Sequence, residues 1–253
     1  MGILSGTHIN VVRPAYGVAV KFENRAVAFV DILGFKALVA GAADKEECPA
    51  QLSGLVDLLS SAVPTLDATV DKSVAPHLIP RHIYISDCII LSAPLTDIDR
   101  KSYDGLAIVV MRIIQLSHYF LRAGYLIRGG VSVGKVWHSA SNIVGPAYQE
   151  AFLLEQTTKE PIAVLSNSAA ERWKGGSRMC LQQNGKVFVN GLFDYYIPNS
   201  RQHGVIEQTY ASYAALADQR LREDLPESAK EKWSWFREFL QTEAPEGLKW
   251  AQA

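Results

Sequence analysis

The pattern of apolar and polar positions divides most of the chain into strands and helices. Residues 26–30 form an unbroken apolar run that ends in Asp31 and a glycine turn, which predicts a buried strand. From residue 52 to residue 63 the apolar side chains recur every three or four positions. This spacing predicts an amphipathic helix that ends before Pro64.

Two short β-branched runs follow in residues 81–94, with Ser86 and Asp87 between them, which is typical of a tight hairpin. Residues 104–123 carry a stripe of apolar side chains, which predicts a second long helix closed by Gly124. Residues 125–137 alternate as a strand, and a turn follows at 138–142. A third helix is predicted over 147–156, after Gly145 and Pro146, and a last strand over 161–165.

The order of these elements, β-α-β-β-α-β, predicts an α+β fold of the ferredoxin-like type, followed by additions. The first strand and the hairpin strand are then neighbours at the centre of the sheet. Beyond about residue 200 the chain is helical and rich in charge and in tryptophan (Trp233, Trp235 and Trp250). We expect one domain over residues 1–200 and a C-terminal helical tail over 201–253, packed on the domain or on a partner subunit.

Composition and charge limit the classes of partner. Apolar residues make up 48% of the chain and the formal net charge is -1, so there is no general attraction to nucleic acid or to anionic membranes. The longest apolar stretch, residues 106–114, is too short to span a bilayer, and residues 1–17 lack the pattern of a signal peptide. Cys48, Cys88 and Cys180 show no metal-binding spacing. These features predict a cytoplasmic protein with reduced thiols.

Two aspartates are candidate functional residues because each interrupts a run of apolar residues. Asp31 follows a buried strand and Asp87 lies at the tip of the hairpin, so the predicted topology lets both carboxylates converge. Two carboxylates, with a backbone carbonyl such as that of Ile32 and with phosphate oxygens, suit Mg²⁺ or Mn²⁺. Each aspartate alone would also be explained as a turn residue.

The turn after Asp31, formed by Ile32, Leu33, Gly34 and Phe35, leads into a helix. Successive backbone N–H groups at such a turn can hold a triphosphate. A competing phosphate motif, GGVSVGK at residues 129–135, matches the start of a P-loop. It is followed by Val136 instead of Ser or Thr and alternates as a strand, so we do not interpret it as one.

The segments FVDILGF, YISDCII, RGGVSVGKV and GPAYQEAFLLE, in this order, resemble the catalytic domain of class III nucleotidyl cyclases over residues 25–165. The resemblance implies a palm-type cyclase domain in which Asp31 and Asp87 bind two divalent cations, Mn²⁺ or Mg²⁺. It also implies a head-to-tail homodimer with its active sites at the interface, and Lys135 as a residue that contacts the triphosphate.

Departures from the family pattern concern base recognition and the transition state. The position of the purine-selecting lysine holds Ile83, and the position of its polar partner holds Asn142. Gln149 replaces the transition-state asparagine, and Leu153 replaces an arginine. The nearest remaining cations in sequence are Arg81 and Arg128, and the sequence does not decide whether either reaches the site.

The chain keeps both metal-binding aspartates but differs at the positions that recognise the base. In this combination it resembles the bacterial pyrimidine cyclases of antiphage defence. That resemblance implies conversion of UTP or CTP to cyclic UMP or cyclic CMP, and an effector reached through the product. Three alternatives stay open: a purine cyclase, a diguanylate-cyclase-like enzyme, although the GG[DE]EF hairpin of that class is absent, and an inactive nucleotide sensor.

Overall fold

The computed structural model describes residues 20–42, 49–173, 178–245 and 248. The expectations stated for residues 1–17, for Cys48 and for Trp250 lie outside these residues. The strands are β1 (Glu23–Ile32), β2 (Arg81–Ile85), β3 (Cys88–Pro94), β4 (Ile127–His138), β5 (Ile143–Val144), β6 (Ala163–Leu165), β7 (Cys180–Gln183) and β8 (Lys186–Val189). The helices are α1 (Phe35–Ala40), α2 (Ala50–Asp67), α3 (Gly105–Arg122), α4 (Pro146–Thr157), α5 (Asn167–Arg172), α6 (Val205–Arg222) and α7 (Glu227–Glu243).

The strands form one sheet in the order β2-β3-β1-β4-β6-β8-β7, and β5 pairs with β4 beside this path. The β4–β6 pair is parallel, and the other strand pairs are antiparallel. The first six major elements follow the β-α-β-β-α-β order, with β1 between β3 and β4. The predicted α+β, ferredoxin-like fold with a C-terminal helical extension is therefore confirmed.

Strand β1 is buried on both faces, which explains its continuous apolar run. Ala26, Ala28 and Val30 point into the main core, where α2 and α3 pack. Val27 and Phe29 point to the other face, which α4 covers. Because side chains alternate along a strand, this one apolar segment packs against α2 and α3 on one face and against α4 on the other. This packing fixes the position of Asp31 at the end of the segment.

Helix α2 passes through Pro64, so the prediction that it ends before this residue is wrong. A proline inside a helix removes one backbone N–H and frees the carbonyl four residues earlier, that of Ser60. Here the hydroxyl of Tyr84, on β2, donates to the Ser60 carbonyl at 3.3 Å. A side chain from the sheet thus replaces the missing hydrogen bond, and the helix continues for another turn.

Helix α3 confirms the long helix predicted over residues 104–123, with the Asp104 side chain accepting from the N–H of Leu106 at its start. Among the described helices α3 is long and apolar enough to cross a membrane by length and composition, but 67% of it is buried within the fold. Arg112 lies in this helix, is 1% exposed and forms an ion pair with Asp67 on α2 at 2.6 Å. The helix is thus packed as the central helix of the core.

The turn after Asp31 leads into the short helix α1, as expected, whereas the pattern did not predict α5 or the β7–β8 hairpin, which are also short. Beyond them, α6 and α7 pack against each other and against the turn between α3 and β4. Their shared apolar cluster contains Tyr210, Trp233 and Phe236 together with Leu126 from that turn. Within the described residues this pair therefore lies on the same chain's α/β layer, at the end of the sheet where β1 finishes.

Candidate active site

Asp31 lies at the carboxyl end of β1, paired in register with Cys88 on β3 and with Arg128 on β4. Asp87 occupies the two-residue turn between β2 and β3, where Ser86 adopts a left-handed conformation with φ of 57°. The N–H of Ile32 donates to the carbonyl of Asp87 at 3.3 Å, which ties the hairpin turn to the end of β1. The predicted convergence of the two aspartates is thus present in the structure.

The two carboxylates and the Cys88 sulfur lie within 4.8 Å of one another. Burial and the nearby charge of Asp87 raise the pKa of Asp31 to about 7, while Arg128 acts in the opposite direction. Two acids held this close repel each other when both are ionised. A bound cation would neutralise this repulsion between the two carboxylates.

The chemistry of the donor atoms fits a hard divalent cation. Carboxylate oxygens are the ligands that Mg²⁺ and Mn²⁺ prefer. The Cys88 thiol lies 3.8 Å from an oxygen of each carboxylate, and burial together with these acids raises its pKa above the ordinary value. Because Mg²⁺ and Mn²⁺ prefer oxygen to sulfur ligands, the two carboxylates are the donors that such an ion would use.

Arg128 is a site residue whose placement the sequence left open. Its guanidinium lies 3.3 Å from Asp31 and also pairs with Glu155, which is buried near the end of α4. Helix α4 comes this close because Gly130 has no side chain: a Cβ there would lie 2.1 Å from the Ala151 carbonyl oxygen. Arg81, the other open candidate, instead donates to the His138 carbonyl at the far end of β4.

Ile32, Leu33, Gly34 and Phe35 line a cleft of about 440 Å³ that also contains Asp31 and Asp87. Gly34 has φ of 96°, while a Cβ at this position would meet no atom, so backbone conformation and not space explains the glycine. The next residue, Lys36, also lines the cleft and is exposed. The volume falls in the range of small-molecule sites, which is about 300–1,000 Å³.

Four further residues from the sequence prediction lie away from this cleft. Lys135 is exposed seven positions along β4 from Arg128, which corresponds to about 23 Å at roughly 3.3 Å per residue. Asn142 and Gln149 are exposed, in the turn after β4 and near the start of α4. Ile83 is 7% exposed and packs with Val27, Phe29 and neighbours beneath α4.

Residues 129–135 lie within β4 and do not form a loop leading into a helix, in agreement with the sequence interpretation that they are not a P-loop. Arg128, Lys36 and the residues of α6 and α7 that line the cleft were not predicted as site residues. Arg128 stands at the start of RGGVSVGKV, one of the segments that carried the family resemblance, but no sequence signal placed α6 or α7.

No protein-family model matches the chain, and no curated protein matches it. Solved structures with a similar arrangement include the adenylyl cyclase CyaB from P. aeruginosa (16% identity, 68% of this chain and 95% of that chain covered, TM-score 0.46). Another is the monomeric guanylyl cyclase domain of the RhoGC fusion protein from Blastocladiella emersonii (17%, 67% and 96%, TM-score 0.48). A third is a class III adenylyl cyclase-like ATP-binding protein from Pseudomonas aeruginosa (12%, 88% and 44%, TM-score 0.41). Similarities at this level do not assign the chain an activity.

Proposed function

We propose that this protein is a pyrimidine nucleotide cyclase that converts UTP or CTP to the 3′,5′-cyclic monophosphate and pyrophosphate. The observation that carries the proposal is the convergence of Asp31 and Asp87 beside a cleft that also holds Arg128. Acidic and basic groups in one cleft suit a ligand that brings both cations and phosphates. The sequence resemblance to class III cyclases adds the reaction type.

Asp31 and Asp87, with the Ile32 carbonyl, would hold two Mn²⁺ or Mg²⁺ ions, which supply Lewis acidity and neutralise charge on the reacting phosphate when bound. In the reaction the ribose 3′-oxygen bonds to the α-phosphorus, the bond to the pyrophosphate oxygen breaks, and the 3′-hydroxyl proton passes to solvent water. The N–H groups of Ile32 and Leu33 already donate to the carbonyls of Asp87 and Leu126, so the Gly34–Phe35 part of the turn would hold the phosphates. Arg128 would orient Asp31 through their ion pair.

The preference for a pyrimidine rests on the positions of Ile83 and Asn142. An isoleucine offers no hydrogen-bond partner to a purine edge, and here it is also buried. Asn142 is exposed and carries an amide, which can present a donor or an acceptor to the base. We favour UTP over CTP, and the substitutions Asn142→Ala and Asn142→Asp should change the ratio of the two turnover rates if this residue reads the base.

A head-to-tail homodimer would explain why the predicted site residues divide into two groups. Asp31 and Asp87 line the cleft, whereas Lys135, Asn142 and Gln149 are exposed elsewhere and are free to enter a partner's cleft. In such a dimer each site needs one protomer's aspartates and the other protomer's Gln149. Mixing inactive Asp87→Ala and Gln149→Ala proteins should then restore part of the activity, and a mixture that stays inactive would count against this arrangement.

The biological role proposed with this activity is production of a second messenger in antiviral defence. The cyclic product would act on a separate effector from a cytoplasmic enzyme that needs neither nucleic acid nor membrane. The net charge of -1 and the burial of α3 agree with this proposal. Infection of cells carrying wild type or Asp87→Ala, with cyclic nucleotides measured over time, would test the role separately from the activity.

The activity itself is tested by incubating the protein with Mn²⁺ and, separately, ATP, GTP, CTP or UTP, and by identifying products by mass spectrometry. We expect a cyclic pyrimidine monophosphate from the wild type and none from Asp31→Ala or Asp87→Ala. Asp57→Ala is the matched control, because Asp57 is an exposed carboxylate on α2 outside the cleft. Cyclic AMP or GMP would keep the chemistry and refute the base preference, while no product from any substrate would favour a nucleotide sensor.

A further inference from the structure

The α6–α7 pair forms one wall of the candidate active site. Arg220 from α6, and Pro226, Ser228, Lys232 and Trp233 from α7 or its start, line the same cleft as Asp31 and Asp87. This wall belongs to the same chain as the aspartates. It lies outside residues 25–165, which carry the resemblance to class III cyclases.

Several contacts fix this wall against the sheet. Trp233 is 8% exposed and packs in the cluster that contains Leu126, from the turn before β4. The Arg220 guanidinium donates to the carbonyl of Gly124 in the same turn at 3.4 Å. Arg237 on α7 pairs with Asp218 on α6 at 2.8 Å. The helices are therefore held at a defined place beside the aspartates, and a side chain on their cleft-facing surface is already positioned for a ligand.

The cations of the cleft differ in whether an acid already neutralises them. Arg128 pairs with Asp31 and Glu155, and Arg220 pairs with Glu223 at 2.9 Å. Lys232 is half-buried, and its ammonium group donates to the Ser228 carbonyl at 2.7 Å. Among the described residues no carboxylate lies within ion-pair distance of Lys232 or of Lys36.

We propose that Lys232 is a substrate-binding residue that contacts the phosphate tail of the nucleoside triphosphate, together with Lys36 from α1. The proposal rests on the proposed function, because it takes a nucleoside triphosphate as the ligand of this cleft. A lysine acts on phosphate as a point charge, and an ammonium without an acidic partner keeps its full charge for the ligand. The α6–α7 pair thereby contributes directly to substrate affinity.

A probe without base or ribose separates this inference from the identity of the reaction. Calorimetric titration of the whole protein with inorganic triphosphate and Mn²⁺ measures binding to the phosphate subsite without any turnover. We expect Lys232→Gln to weaken this binding by about tenfold, since one charge-assisted hydrogen bond is lost, and Lys232→Arg to restore most of it. Lys230→Gln is the matched control, because Lys230 lies on the same helix and does not line the cleft; its affinity should equal that of the wild type.

Steady-state kinetics with the preferred triphosphate give the second readout. Contact with the tail in the ground state predicts that Lys232→Gln raises KM about tenfold and changes kcat less than about twofold. The inference would be overturned if Lys232→Gln bound inorganic triphosphate as tightly as the wild type does. It would also be overturned if the wild type did not bind triphosphate. If the wild type turns over no nucleotide but Lys232→Gln still loses triphosphate affinity, the cyclase proposal fails and the phosphate subsite stands. Thermal unfolding of each variant checks that the α6–α7 wall is intact.

Discussion

The two ends of β1 carry polar clusters of opposite character. At its amino end the Arg25 guanidinium donates to the Ser92 hydroxyl at 2.8 Å, and Ser92 contacts the Nδ1 atom of His138 at 2.6 Å. At its carboxyl end Asp31 lies beside Asp87, a second acid. Both clusters are set into an apolar sheet, but Arg25, Ser92 and His138 are buried, whereas Asp31, Asp87 and Cys88 are each partly exposed. They also differ in chemistry: hydrogen bonds join the members of the first cluster, with only the Nε2 atom of His138 left without a partner among the described residues, whereas the second places two acids together and Arg128 pairs with only one of them, Asp31.

This contrast suggests how to separate stabilising polar residues from chemical ones. The Arg25 cluster supports the fold, because buried donors and acceptors there contact each other. The Asp31 cluster costs stability unless a cation binds, and a protein that retains such a cost gains something else from it. A substitution at the acidic end should therefore lower activity and raise stability, whereas one at the amino end should lower stability and leave activity nearly unchanged.

The largest effect is expected at the acidic end. Asp87→Asn should reduce cyclase activity by about a hundred- to a thousandfold, a loss typical of removing one charge-stabilising group from an active site. The same change should raise the stability of the metal-free protein by about 1 kcal/mol, because it removes the repulsion on Asp31. Turnover and urea denaturation of one preparation test both results, and a less stable variant would contradict the repulsion.

The opposite outcome is expected at the amino end. Ser92→Ala leaves the Arg25 guanidinium and the His138 ring each without one partner, so unfolding free energy should fall by about 1–3 kcal/mol. At temperatures well below the midpoint, kcat should stay within about twofold of the wild-type value. Asp57→Ala, on the surface of α2, provides the baseline for stability. A loss of kcat in the folded variant would show that this cluster also serves the active site.

A smaller effect concerns pH. Because the pKa of Asp31 is raised to about 7, its protonated form favours the folded state. This contribution to the stability of the metal-free protein is fully present below about pH 4 and is lost as the pH rises through about 7, roughly 1–2 kcal/mol in total after allowance for solvent screening. Burial lowers the pKa values of His118 and His138 to about 4. The stability that these neutral imidazoles contribute is present above about pH 6.5 and is lost as the pH falls through about 4, which is opposite to the effect of Asp31.

The difference in unfolding free energy between wild type and Asp31→Asn isolates the aspartate from the histidines. Measured in urea with a chelator present at several pH values, this difference should change across pH 5–8 in the direction given above. Asp57→Asn should show the wild-type profile. Parallel profiles for wild type and Asp31→Asn would refute the raised pKa.

The smallest effect is expected for Cys88→Ser, which tests whether the acidic cluster is an oxygen site. Mn²⁺ prefers oxygen to sulfur ligands, so replacement of the thiol by a hydroxyl should change Mn²⁺ affinity by less than about threefold. Calorimetric titration with Mn²⁺ measures this. A much larger loss, or a strong preference of the wild type for a thiophilic ion such as Cd²⁺, would make Cys88 a ligand.

The sequence predicted the acidic end better than the rest of the site. Asp31 and Asp87 converge because β1 and β3 must be neighbours in a β-α-β-β-α-β sheet, so topology alone brings them together. Pro64 was misinterpreted because the hydrogen bond from Tyr84 that compensates for it comes from another element. The positions of α6 and α7 were not predictable, because an amphipathic face indicates that a helix docks but not where. Lys232 therefore could not be assigned to the cleft before the fold was known.

Two glycines near the site imply different patterns of variation among homologous sequences. A Cβ at Gly130 would lie 2.1 Å from a backbone oxygen of α4, so alanine is excluded as firmly as any larger residue. At Gly34 the space is open and only the positive φ opposes a side chain, so asparagine or aspartate should be accepted there more readily than other residues. In a saturation mutagenesis experiment the first position should tolerate no replacement, and the second should tolerate a short, chemically narrow set.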